Sequence, residues 1–239
     1  MRCPCSRSPD NDIAYQNGFD DQQTRRHFVS KVCMLVAFQM CFTAIVTSSF
    51  VFNESWGDWL KEHWWIAVVA LCIDMVIIIM MCYCVFLFRK PPCNYILLII
   101  FTCAKSIAIS FICVHYAQRL VLYAVGVTAL LCIVLTLFAM FAPCDFTSCW
   151  PLVLVALFGL AITGIFFIFF SSRLFHLIIV CAALIIFSFI LVIDIQMIIG
   201  GKHSNQYDED DYVIASISIY CDIIQIFLCL LELFGILDD

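Results

Sequence analysis

Two carboxylates lie where a carboxylate is costly. Asp194 sits in Ile190-Leu191-Val192-Ile193-Asp194-Ile195-Gln196, and Asp222 in Ile219-Tyr220-Cys221-Asp222-Ile223-Ile224-Gln225, both inside long apolar runs. An acid at the centre of a membrane helix costs roughly 2.5–3.5 kcal/mol on insertion scales, and such residues mark ion pathways and proton relays. The two runs flank one short connection, so packing as an antiparallel pair brings both acids to one site. At about 1.5 Å per residue, Asp194 lies about 9 Å inside Gly200 and Asp222 about 16 Å inside Asp211. Two close carboxylates cannot both ionise cheaply, so the pair is expected to share a proton and titrate as a unit. Such a pair can hold a pore shut through a hydrogen bond and open it on deprotonation, or accept Ca²⁺ transiently through its oxygens. The alternative is that each acid meets a Ser, Tyr or backbone partner and only fixes helix packing.

Asp74 and Lys105 form a second constellation. Each falls mid-span in one of two consecutive apolar runs, so both side chains reach similar depth, and a buried structural ion pair is the economical reading. The run Tyr207-Asp208-Glu209-Asp210-Asp211-Tyr212 opens the last apolar stretch. Acids favour a helix N-terminus; Asp208, Glu209, Asp210 and Asp211 could also form a vestibule that attracts cations. The run lacks the alternating ligand spacing of an EF-hand loop. A membrane zinc hydrolase needs ligands converging at one depth, whereas His27 and His203 are expected at one membrane face and His63, His115 and His176 at the other. No nucleophile elbow or phosphate-binding glycine loop accompanies them, so the chain is not expected to be an enzyme or to hold a cofactor.

The elements that must position these groups follow from composition. The chain is 239 residues, 64% hydrophobic and 13% charged, with a mean hydropathy of +1.06. Soluble domains are about 45–50% apolar and about 25% charged. Long uninterrupted apolar runs, without a period of two, indicate an all-α integral membrane protein rather than a β-barrel. A polar segment, 1–31, precedes a single transmembrane domain, 32–239, whose spans are expected near 32–53, 64–88, 94–114, 119–142, 150–171, 174–199 and 212–236. Short connections suggest that successive helices are neighbours. The polar start argues for a first helix acting as anchor rather than a cleaved signal.

Arg2, Arg7, Arg25, Arg26, Lys31, Arg89, Lys90 and Lys202 fall on one side under this topology, and Lys61, Arg119 and Arg173 on the other. The positive-inside rule then places the N-terminus in the cytosol, and Trp56, Trp59, Trp64 and Trp65 fit an aromatic belt on the opposite face. No basic stripe suggests nucleic acid. Most of the 16 cysteines lie within apolar runs or at expected cytosolic edges, so no disulfide framework is expected. Cys82, Cys84 and Cys93 could be palmitoylated or remain free thiols.

Several motifs carry a resemblance. Cys144-Asp145-Phe146-Thr147-Ser148-Cys149 resembles a loop of the Lifeguard branch of the transmembrane Bax-inhibitor-motif family. Asp211-Tyr212-x-x-x-Ala215 with Tyr220-x-Asp222-Ile223-Ile224 is similar to that family's C-terminal signature. Asp194-x-Gln196, Gly200, Arg25-Arg26-x-Phe28-x-x-Lys31-Val32 and Arg89-Lys90-x-Pro92 extend the likeness over about residues 24–237. The resemblance implies a seven-helix bundle with the seventh helix central, a pH-sensitive calcium leak from internal stores, and suppression of apoptosis. It also implies that Asp194 and Asp222 are the pH sensor. The endoplasmic reticulum, Golgi and plasma membrane are all compatible locations. A second reading is a non-conducting membrane protein that restrains Bcl-2-type or death-receptor signalling. Three features depart from the family: Lys105 stands where an apolar residue is usual, the Pro/Gly-rich tail is absent, and Pro91-Pro92-Cys93-Asn94 lacks the usual aromatic before Asn; nor does an Arg fall in the second span to latch the acid pair.

Overall fold

The computed structural model describes residues 9–169, 172–200 and 207–238; the side chains of 9–22, 168–169 and 209 lie outside the described set. Arg2, Arg7, Lys202 and His203 also lie outside it. The architecture is all-helical. The helices are α1 (Pro9–Phe52), α2 (Glu54–Glu62), α3 (Trp64–Tyr83), α4 (Val85–Arg89), α5 (Cys93–Cys113), α6 (Gln118–Phe141), α7 (Trp150–Phe169), α8 (Arg173–Ile199) and α9 (Tyr212–Asp238). Short 3₁₀ turns precede α7 (Phe146–Cys149) and α9 (Glu209–Asp211). Among the described residues seven helices are long and apolar enough to cross a membrane: the Gln23–Phe52 part of α1, α3, α5, α6, Phe146–Phe167, α8 and α9.

α9 is the most buried of the seven and α7 barely buried at all. α9 packs on α8, α6, α1 and, more lightly, α5, so it forms the axis of the bundle. This differs from a bundle of sequential neighbours. α1 packs on α5 and α9 rather than on α3, and neither α5 with α6 nor α6 with α7 makes a close pair. Between membrane helices the apolar drive to associate is weak, and small and polar residues select the partners instead.

The α1–α5 seam shows this selection. Gln39, Thr43 and Thr47 recur every fourth residue on α1, as do Thr102, Ser106 and Ser110 on α5, and all six are buried. The two helices run parallel, so the stripes meet rung by rung. Gln39 Nε2 donates to Thr102 Oγ1 at 3.2 Å, Thr43 and Ser106 share a bond at 2.9 Å, and Ser110 donates to Thr47 at 3.2 Å. Thr43 also shares a 2.8 Å bond with the Tyr220 hydroxyl of α9, joining three helices. Thr43→Val should therefore lower unfolding stability in detergent by about 1 kcal/mol, near the upper part of what such interhelical bonds contribute. Thr47→Val, which loses one bond, should cost less; equal losses would argue against the Thr43 node.

Two segments expected to be loop or span are something else. Residues between the first two spans form the helix α2, capped by Asn53, whose side chain accepts from Trp56 N. It presents Trp56 and Trp59 outward while burying Gly57 and Leu60. The second span ends at Tyr83, and the backbone turns at Cys84 into α4, which carries Arg89 to the bundle end. The end bearing Arg25 and Arg89 is called here the arginine end, and the other the tryptophan end. At the tryptophan end, Arg119 meets Asp238 at 2.7 Å, His176 meets Glu232 at 2.6 Å, and Arg173 donates to the Ile236 carbonyl, pinning the close of α9. Basic groups suit the last carbonyls of a helix.

Candidate functional site

α8 is buried on every side over its last third: Ile190 to Gln196 are each 8% exposed or less. A helix apolar all round belongs in a core, and this one lies against α9. Asp194 and Asp222, 4% and 8% exposed, meet across that contact, and their carboxyls are hydrogen-bonded to each other. Among the described residues no hydrogen-bond donor reaches Asp194 Oδ1 or Asp222 Oδ2. Among the described residues no Lys or Arg forms an ion pair with either acid. An ionised carboxylate only accepts, so two carboxyls can hydrogen-bond to each other only when at least one of them carries a proton.

Around the pair, neighbouring side chains hold the backbone rather than the acids. Gln196, two residues beyond Asp194, is fully buried and donates to the Cys144 carbonyl at 3.0 Å while accepting from Phe146 N at 2.9 Å. It thereby fastens the Cys144–Cys149 motif to α8. Asp145 Oδ1 closes that turn by accepting from Thr147 N and Thr147 Oγ1. The motif that carried the resemblance is thus a fixed turn anchored beside the acid pair.

Arg25 closes the same end. Its guanidinium donates to the carbonyls of Met197 (3.3 Å), Ile199 (3.2 Å) and Tyr207 (2.8 Å). This places a cation at the negative end of the α8 dipole, within about one turn of Asp194. Gly200 sits directly beneath it with φ 65°, ψ −145°, and a Cβ there would lie 1.9 Å from Arg25 Nη2. That backbone region is essentially restricted to glycine and costs other residues about 1–3 kcal/mol. Gly200→Ala should consequently lower the thermal midpoint in detergent by several degrees, and an unchanged midpoint would remove Arg25 from this role. Arg25 precedes the first apolar run, and its tie to α8 was not legible there.

The acidic run is partly occupied. Arg89 forms a two-pronged pair with Asp211, at 2.7 and 2.8 Å, and reaches Asp208 at 3.0 Å. Its hydrogen bond to Asp211 raises the guanidinium's already high pKa. Asp210 is exposed, and the Glu209 side chain lies outside the described residues. Two of the four acids therefore pair with Arg89, Asp211 largely shielded and Asp208 still open to solvent.

Asp74 and Lys105 form an ion pair between α3 and α5, with side chains 3% and 14% exposed. Lys105 also lies over the Phe101 ring at 5.4 Å, and Phe101 stands edge-on to Tyr220. Asp74 Oδ1 has no hydrogen-bond partner. Among the described residues no three His, Cys, Asp or Glu side chains gather as a metal site, and the cysteines are free thiols.

Comparison with known proteins places this geometry in context. A family model described as "Inhibitor of apoptosis-promoting Bax1" matches residues 25–239. "Protein LIFEGUARD 4" of Arabidopsis thaliana is 32% identical over 226 residues, covering 92% of this chain and 89% of that protein. "Protein lifeguard 3" of Mus musculus is 29% identical over 221 residues, covering 91% and 71%, and its Homo sapiens counterpart matches to the same extent.

Proposed function

The chain belongs to the Bax-inhibitor family, on its Lifeguard side, and from that footing we propose that it is a pH-gated calcium leak of an internal membrane that restrains apoptosis. The carrying observation is the Asp194–Asp222 contact, two acids joined by a hydrogen bond inside a membrane helix pair. The arginine end faces the cytosol in this reading, consistent with its excess of basic residues. At acidic pH the shared proton joins α8 to α9 and the passage is closed. As pH rises the proton leaves, the two charges repel, and the helices loosen at the cytosolic end. Ca²⁺ is the permeant ion rather than a resident cofactor, and the freed carboxylates offer it hard oxygen ligands on the way. The endoplasmic reticulum and Golgi are the membranes this reading favours.

The test is calcium efflux from liposomes holding the purified protein, measured against pH. Efflux that rises from acidic to neutral pH supports the leak. A protein that is folded yet silent at every pH would reject it and leave the non-conducting restraint of Bcl-2-type or death-receptor signalling as the function.

A further inference from the structure

Between the acid pair and the arginine end lies an apolar cluster separate from the main core. It consists of Phe28 and Val32 of α1, Ile198 of α8 and Ala215 of α9, with Tyr207 and Tyr212 packed against it. The four core members are each 3% exposed or less. Ile198 stands four residues beyond Asp194 and Ala215 seven residues before Asp222, so the cluster covers the pair from about 6 Å along α8 and about 10 Å along α9. Of its members, Tyr207 alone belongs to no membrane-spanning helix.

Three bonds hold Tyr207 in place. Its hydroxyl donates to Ser218 Oγ at 3.4 Å, its N–H donates to the Met197 carbonyl at 3.3 Å, and its own carbonyl accepts from Arg25 Nη1 at 2.8 Å. Two of the three therefore act on its backbone. Its ring adds an apolar surface where α1, α8 and α9 meet over the acids.

We propose that Tyr207 is the stopper of the passage: its ring completes an apolar seal over the acid pair, and Arg25 is the fastener that keeps it seated. This rests on the leak reading above and supplies the moving part that reading lacks. An apolar constriction excludes water and ions without filling the passage completely. A small cluster outside the main core is also the kind of unit that opens locally at less cost than the fold. The charged and titratable groups around Tyr207 are Asp194, Asp222, Asp211 and Arg25. Burial, followed by the Asp194 charge, raises the Tyr207 phenol above its ordinary range, so it stays protonated and keeps donating to Ser218. The stopper is consequently not the sensor. The link between them is hydration: once ionised, the acids draw water, and water reaches them from this end only by displacing the ring.

The experiment compares the parent, Tyr207→Ala and Tyr207→Phe in two readouts. In liposomes, Tyr207→Ala should conduct calcium at acidic pH several-fold faster than the parent, whereas Tyr207→Phe, which keeps the ring, should still close. The second readout is independent of conduction. Ser218→Cys is placed in all three backgrounds and labelled with a water-soluble maleimide, with modification at residue 218 distinguished from that at Cys221 and Cys229 by fragment-ion mass spectrometry. Backgrounds are compared at the same pH, where wider access for the reagent and the easier ionisation of a hydrated thiol both speed labelling once the ring is gone. Tyr207→Ala should label several-fold faster than the parent at acidic pH, and Tyr207→Phe should not. A Tyr207→Ala protein of parental thermal midpoint that neither labels nor conducts faster overturns the seal. Faster labelling in a protein that conducts in no variant upholds the seal while the leak reading fails.

Discussion

Lys105→Met should cripple the protein, and Asp74→Asn with Lys105→Met should largely restore it. The single change leaves Asp74 buried without its ion-pair partner and with Oδ1 already unpartnered. Removing one member of a buried pair typically costs about 3–5 kcal/mol, while replacing both with neutral groups is often close to neutral. The double variant carries no charge at that depth and keeps side chains of similar size. Recovery of monodisperse protein and its denaturant midpoint in detergent are the measurements. Additive losses in the two substitutions would argue that the contact does not carry the coupling. Lys105 lies over Phe101, which stands edge-on to Tyr220, and Tyr220 ties α9 to α1 through Thr43, so the single variant should also disturb the axis helix.

The second large effect is on pH dependence. Asp194→Asn and Asp222→Asn should each flatten calcium efflux across the range from about pH 5 to pH 8. Asparagine has nearly the shape of aspartate, and its amide can donate to the remaining carboxyl, but it releases no proton in that range. In the parent, the ratio of protonated to ionised pair changes about tenfold per pH unit, which is what the efflux should follow. Both substitutions should leave the fold intact, because the pair is joined to the bundle by the packing of α8 on α9 and not by a countercharge. A parental pH profile in both variants would remove the acids from gating.

Much of this was legible in the residues. Seven apolar runs gave the spans because their length matches a hydrocarbon core. The two acid pairs were visible because a charge in such a run has few places to go. Depth counting brought Asp74 to Lys105 and Asp194 to Asp222. Partner choice was harder to read. That α1 packs on α5 rather than α3 depends on hydroxyls at Thr43, Thr47, Ser106 and Ser110, whose spacing of four is visible but whose pairing across 63 residues is not. Arg25 was legible as a motif and as a cytosolic charge, but not as a donor to two carbonyls of the α8 end and to that of Tyr207. The break at Cys84 was hidden because Val85-Phe86-Leu87-Phe88 continues the apolar run of α3. Gln196 and the Cys144–Cys149 turn became intelligible only together, since the Gln196 side chain satisfies one carbonyl and one N–H of the turn's backbone.

The sharing of one proton between Asp194 and Asp222 is tested most directly by an infrared titration of carboxyl groups in the purified, lipid-embedded protein. A shared proton predicts a protonated-carboxyl signal that both single asparagine variants alter, and that fades over the same pH range in which parental calcium efflux rises. A signal that either variant leaves untouched, or one that persists unchanged while efflux rises, would contradict it.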